Sequence, residues 1–339
     1  MSEALRRAVK LGAIAALCLA GQAARASDPL TGETIAPPPN LNIVMYYNVY
    51  VNAGAIGTPY EGIYGQNTRI NADFHALRYI RSFELGGMIA GVQAYDAYGS
   101  FIGPQGAGIP AAGPFGPGRV KLDHTNGFTQ PNFGAFIFPY ANAEKGNYLV
   151  TGVWLSPPIG NYNKNATLNY TRNLWTFEGE VGGRATLFGT PAGQNLALEV
   201  WGEIYDYADN GDSAFVTPAV YANSMLGAGP LVPAGSTPAK LHEQPTGELR
   251  VYLPYQFYAP TRATIAPGFF QSLGGKQVYT LGNGKKLDSR LRTEVSQLRL
   301  TFTTYLSPHW QLTLNGDYDV ASHGGPLERN LELRLVTAF

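Results

Sequence analysis

Five histidines are the first candidates for chemistry: His75, His124, His242, His309 and His323. None is paired at a metal-ligand spacing. The one cysteine, Cys18, lies in a segment expected to be cleaved off, so no zinc centre is expected. His124 heads the run His124-Thr-Asn-Gly127. No serine nucleophile stands beside it, and a base without a nucleophile transfers no acyl group. The stretch 103–118 is rich in glycine but lacks the strand-to-helix context of a phosphate loop. The chain therefore does not read as an enzyme, and neither cofactor nor metal is expected. Its charged residues form another pattern, recurring at every second position: Asp73, Glu178, Glu180, Arg184, Glu199, Glu203, Glu248, Arg250, Arg299, Asp317, Asp319, Glu332 and Arg334.

Such spacing belongs to β-strands, whose side chains alternate between two faces. Trp175, Phe177, Val181 and Leu187 oppose Glu178, Glu180 and Arg184. Leu249, Val251, Leu253, Tyr255 and Phe257 oppose Glu248 and Arg250, and Leu298, Leu300 and Phe302 oppose Arg299. Leu41, Ile43, Met45, Tyr47, Val49 and Val51 form a further stripe opposite Asn42, Tyr46, Asn48 and Asn52. About twelve strands are expected, at 41–54, 68–80, 84–97, 128–140, 148–157, 173–188, 195–207, 247–258, 263–280, 290–305, 309–321 and 328–339. A bulge is expected around Ala76 and Gly86-Gly87, where the alternation loses phase. The implied fold is all-β: an antiparallel, up-and-down transmembrane barrel. Its outer face must be apolar, because lipid satisfies no polar group. The alternating charges then line the lumen, where acids outnumber bases and imply a weak cation preference.

Composition agrees. Charged residues make up only 14% of the 339, against about 25% in soluble domains. Beyond residue 30 no apolar run approaches the roughly 20 residues of a membrane-spanning helix. A net charge of zero argues against a nucleic-acid partner. At the start, Arg6, Arg7 and Lys10 precede the apolar Leu11–Gly21, and Ala24-Arg25-Ala26 offers a cleavage site. Residues 1–26 therefore read as a signal peptide, 27–40 as a short periplasmic segment and 41–339 as the barrel, placed in the outer membrane. The expected partners are membrane lipid, the barrel-assembly machinery and small hydrophobic solutes. The last strand sets Leu331, Leu333, Leu335, Thr337 and Phe339 on one face. Leu335 and the closing Phe339 have the pattern of an outer-membrane assembly signal.

Connector lengths alternate. The short ones fall around Arg81–Phe83, Ala141–Gly146, Gly189–Gln194, Ala259–Arg262 and Leu306–His309 and suit periplasmic turns. Phe138, Tyr140, Phe188, Tyr255, Phe257, Tyr305 and Trp310 cluster beside them as an aromatic girdle. The two longest connectors, 98–127 and 208–246, are unusually apolar. Phe101, Phe115, Phe215, Tyr221 and Met225 are their candidate ligand contacts.

Several pieces resemble one family of outer-membrane proteins. They are Pro37-Pro38-Pro39, Leu85-Gly86-Gly87, Pro158-Ile-Gly-Asn-Tyr162, Leu168-Asn-Tyr-Thr-Arg-Asn-Leu-Trp175, Gly274-Gly275-Lys276-Gln277 and the Phe-ended last strand. Together they resemble the meta-pathway phenol-degradation family. One departure is Pro131-Asn132-Phe133-Gly134, where that pattern has a Gly-Asp pair in the fourth strand. The resemblance implies uptake of small hydrophobic or aromatic compounds through a channel or transporter. A structural or adhesive barrel is the alternative. A lipid hydrolase is a remote one: His124-Thr-Asn-Gly127 is similar to the motif of outer-membrane phospholipase A, but lacks its serine.

Overall fold

The computed structural model describes residues 29–57, 64–109, 118–164, 166, 168–213, 239–282, 284, 286–288, 292 and 294–339. The expected signal peptide and the loop candidates Phe115, Phe215, Tyr221 and Met225 lie outside the described residues.

Twelve antiparallel strands close into a ring. They are β1 (Asn42–Gly57), β2 (Tyr64–Leu85), β3 (Met88–Phe101), β4 (Asn132–Asn142), β5 (Asn147–Ser156) and β6 (Thr176–Gly189). Then follow β7 (Asn195–Tyr207), β8 (Thr246–Tyr252, resumed at Tyr255–Tyr258), β9 (Ala263–Gly274), β10 (Glu294–Ser307), β11 (Trp310–His323) and β12 (Pro326–Ala338). Each pairs with its sequence neighbour, and β12 pairs with β1, from Ile43 opposite Ala338 to Ile56 opposite Pro326. Beyond β12, the backbones of Asn42 and Phe339 exchange two hydrogen bonds, of 2.9 and 3.0 Å. A closed ring leaves no strand edge unpaired, as the hydrocarbon layer requires.

Two expectations along the first strands are corrected. β2 runs straight through Arg81–Phe83, and the turn falls at Gly86-Gly87, whose φ values of +59° and +80° suit a two-residue hairpin. The register of β2 against β3 is unbroken at Ala76, and the irregularity lies instead against β1, where Ala53 and Ala55 pair with Ile70 and Gln66 and the extra residues 67–69 fall in β2. The expected strand 263–280 is also divided. Its barrel part ends at Gly274, and Gln277–Thr280 joins a separate four-stranded sheet with Asn210–Ser213, Ala239–Glu243 and Lys286–Asp288. That sheet lies at the end away from the short turns, the extracellular side.

The outer wall is apolar over most strands, with Val153, Val181, Ile204, Leu249, Leu298, Leu300 and Leu331 all exposed. Tyr140, Phe188, Tyr255, Phe257, Trp310 and Phe339 are exposed beside the short turns. Phe138, expected in that girdle, is turned inward and only 3% exposed.

On β1 and β2 the expected faces are exchanged. Met45, Tyr47, Val49 and Val51 of β1 and Phe74, Ala76 and Ile80 of β2 are buried inside the barrel. Asp73, expected in the lumen, is carried on the outer wall. It accepts a 2.8 Å hydrogen bond from Asn48 and lies 3.1 Å from His75, whose other ring nitrogen is 2.8 Å from the Tyr46 hydroxyl. The reason is packing. Phe74, next to Asp73, meets the Tyr170 ring inside at 4.7 Å, so strand alternation turns Asp73 outward.

Candidate functional site: a lumen with two unlike walls

The inward faces of β6 to β12 carry the charges. Arg184 binds Glu199, its direct cross-strand neighbour. Arg250 binds Glu203 and, at 2.7 Å, Glu248. Glu203 lies directly across from both Glu180 and Glu248. Arg250 therefore offsets a crowd of acids that would otherwise repel one another. Phe270 lies between two guanidinium groups, 5.0 Å from that of Arg250 and 4.6 Å from that of Arg299, which places cations over an aromatic face. Arg299 also donates to the Tyr252 hydroxyl at 3.0 Å and comes within 3.7 Å of Asp317. Asp319 accepts from Gln297 at 2.8 Å. Glu332 faces inward on β12, two residues before Arg334. Glu178 approaches Glu180 and Glu203, the three offering carboxylate oxygens within 4.8 Å of one another.

The inward faces of β1 to β5 are mainly apolar, with Arg78 of β2 and Gln93 of β3 as polar exceptions. One packed cluster joins Met45, Val49, Val51, Ile70, Phe74 and Tyr95 to Phe101, Leu168 and Tyr170 near the extracellular mouth. A second joins Phe138, Tyr148 and Val150 to Trp201 and Tyr252 across the lumen. The charged wall of β6 to β12 and the mainly apolar wall of β1 to β5 thus enclose the lumen from opposite sides.

Two segments enter that space. From the extracellular side, the stretch around Leu168–Leu174 folds into the mouth. Tyr170 stacks on Phe101 at 4.4 Å, and Leu168 and Leu174 are each 1% exposed. Phe101, expected as a loop contact, is thus part of an inner cap. Arg172 fastens the same segment to Glu243 of the external sheet at 2.9 Å. From the periplasmic side, the residues ahead of β1 rise into the barrel. Glu33 binds Arg78 of β2, at 2.7 Å, and Arg334 of β12. The Gly32 N–H donates to Glu199 at 2.9 Å, and the Tyr252 hydroxyl donates to the Pro29 carbonyl at 3.2 Å. Below this crossing lies a cavity of about 710 Å³, within the range of small-molecule sites. Ile43, Met45, Phe136, Phe138, Trp154 and Trp201 line it, with Arg78, Arg184 and Arg334 at its inner end.

Sequence spacing placed the acids and bases of β6 to β12 on one face, and the structure brings them together there. It missed Glu33, Arg78 and Tyr170. Arg78 keeps the parity of Phe74, Ala76 and Ile80, which is the signal that could have found it. Glu33 offered no such signal, because its segment has no alternation to read.

Residues 50–222 match the family described as the MetA-pathway of phenol degradation. Among solved structures, an outer-membrane channel from Pseudomonas putida F1 superposes with a TM-score of 0.70 at 20% identity, over 92% of this chain and all of that one. The likeness establishes the fold. The TodX monoaromatic hydrocarbon channel, in a deletion mutant, is a more distant resemblance, with a TM-score of 0.45 at 10% identity over 89% of this chain and 90% of that one. The KdgM porin gives 0.40 at 9% identity over 87% and 99%. No curated protein matches the chain.

Proposed function

The chain belongs to the family described as the MetA-pathway of phenol degradation, and on that basis we propose that it is an outer-membrane channel for small hydrophobic or aromatic compounds. One observation carries the reading. The inner face of a transmembrane barrel is ordinarily polar. Here β1 to β5 supply an apolar inner wall from Phe101 and Tyr170 at the mouth to Met45 and Phe136 at the periplasmic cavity. Apolar solutes can follow such a wall over most of its length, with Arg78 the charged group set into it. The opposite wall holds its charges in internal pairs, which keeps the barrel braced.

A bulky group in the middle of that wall tests the proposal. Ala76 is 2% exposed and faces inward. Ala76→Trp should cut toluene uptake tenfold or more in cells and in reconstituted vesicles, with the barrel still migrating as a folded, heat-modifiable species. Unchanged uptake would favour a purely structural barrel. We also propose that Phe115, Phe215, Tyr221 and Met225 meet incoming ligand. Deleting 214–238 should slow uptake while leaving assembly intact, and uptake at the wild-type rate would remove them from the path.

A further inference from the structure

Glu33 occupies a place built for a carboxylate. Arg78 and Arg334 reach it from β2 and β12, the two strands that flank β1. Arg78 holds one carboxylate oxygen at 2.7 Å, and Arg334 holds the other. The two guanidinium groups are nearly enclosed, with Arg78 7% and Arg334 2% exposed. Arg78 spends its Nε on Gln93 at 2.8 Å. The Nε of Arg334 has no hydrogen-bond partner among the described residues. Glu332 carries the nearest other carboxylate on β12. Tyr47, between the two strands, sets its ring 5.9 Å from the Arg334 guanidinium.

Guanidinium forks match the planar geometry of a carboxylate. Two buried arginines cannot be left without an anion, because an uncompensated buried charge is strongly unfavourable. The site faces the periplasmic cavity, where Ile43, Met45, Ile80 and Phe136 stand beside the arginine pair. A molecule bound there would put an anionic head between two cations and an apolar body against those side chains. Glu33 supplies only the head.

We propose that Arg78 and Arg334 form a binding site for small apolar acids, aryl carboxylates above all, and that Glu33 is the internal stand-in such ligands displace. The inference rests on the channel reading above and narrows its substrate class. A tethered competitor acts at an effective concentration of roughly millimolar, so removing the Glu33 carboxylate should unmask affinity.

The test uses the purified full-length barrel in detergent, titrated calorimetrically with benzoate, benzamide and acetate. Glu33→Ala should lower the benzoate Kd at least tenfold relative to wild type. Benzamide binding should not change, and acetate should bind more weakly than benzoate. Adding Arg78→Gln and Arg334→Gln to Glu33→Ala should erase the gain. Should Glu33→Ala fail to fold, Glu33→Gln keeps the shape of the side chain and should show the same direction. A benzoate affinity unchanged by removing the carboxylate, or an equal gain for benzamide, overturns the proposal. Toluene passage into vesicles is measured in parallel. Passage without the benzoate gain defeats this site and leaves the channel standing; absent passage counts against the channel itself.

Discussion

Arg250 is fully buried and pairs with Glu203 and Glu248 together, with Glu180 one strand further on. Breaking one side of such a cluster leaves charge without an answer, which costs about 3–5 kcal/mol. Arg250→Leu should therefore lower barrel stability by about that amount, read as an earlier midpoint in denaturant-induced unfolding from micelles. A midpoint within error of wild type would show that the cluster neutralises itself by other means. Selectivity depends on the same wall. Glu199 and Glu203 face the lumen, whereas Asp73 stands on the outer wall beside Asn48 and His75. With inward acids in excess, the channel should prefer cations weakly. Glu199→Gln with Glu203→Gln should move the reversal potential under a salt gradient toward zero, and Asp73→Asn should leave it in place. An anion preference in the wild type would contradict the charge balance.

At the scale of elements, the segment ahead of β1 is the main obstruction on the periplasmic side. Glu33, Gly32 and Pro29 tie it to four strands of the wall, β2, β12, β7 and β8. Deleting 29–36 should raise single-channel conductance several-fold while the folded barrel still assembles. An unchanged conductance would place the resistance at the Tyr170 cap instead. The external sheet has its own fastening. Asp209 accepts from Lys240 and from His242. The Lys240 hydrogen bond holds the Asp209 carboxyl below the usual carboxylate range, assisted by His242. A carboxyl whose folded value is depressed contributes stability above its unfolded value of about 3.9, and that contribution fades as pH falls through the folded value. Amide exchange in Ala239–Glu243 should accelerate, beyond the intrinsic rate, below pH 4 in the wild type. Asp209→Asn should remove that pH dependence. Equal acid sensitivity in both would assign it to another group.

At the scale of the whole molecule, closure is the decisive act. β12 must find β1 across the full length of the sequence, and the hydrogen bonds between Asn42 and Phe339 complete that seam. The Phe339 side chain is 67% exposed, so it adds little to packing within the barrel, and we propose that it serves recognition during assembly. Phe339→Asp should reduce the folded, heat-modifiable form in outer membranes to a small fraction of wild type. Normal levels would separate the seam from the signal.

The sequence by itself determined the strand number, the positions of most strands and the end with short turns. Each follows from local chemistry: side chains alternate with period two, and turns collect glycine and proline. The charged set of β6 to β12 was legible for the same reason, since one face carried acids and bases and the other carried leucine and valine. Alternation defines two faces but does not say which one is inside. On β1 the apolar stripe turns inward instead of toward lipid, packed with Phe74 and Tyr170, so Met45 and Asp73 could be placed only once the strands had closed around Tyr170. Glu33 shows the other limit. Its partners, Arg78 and Arg334, are 45 and 301 residues away, and only a closed ring brings strands from both ends of the chain to either side of it.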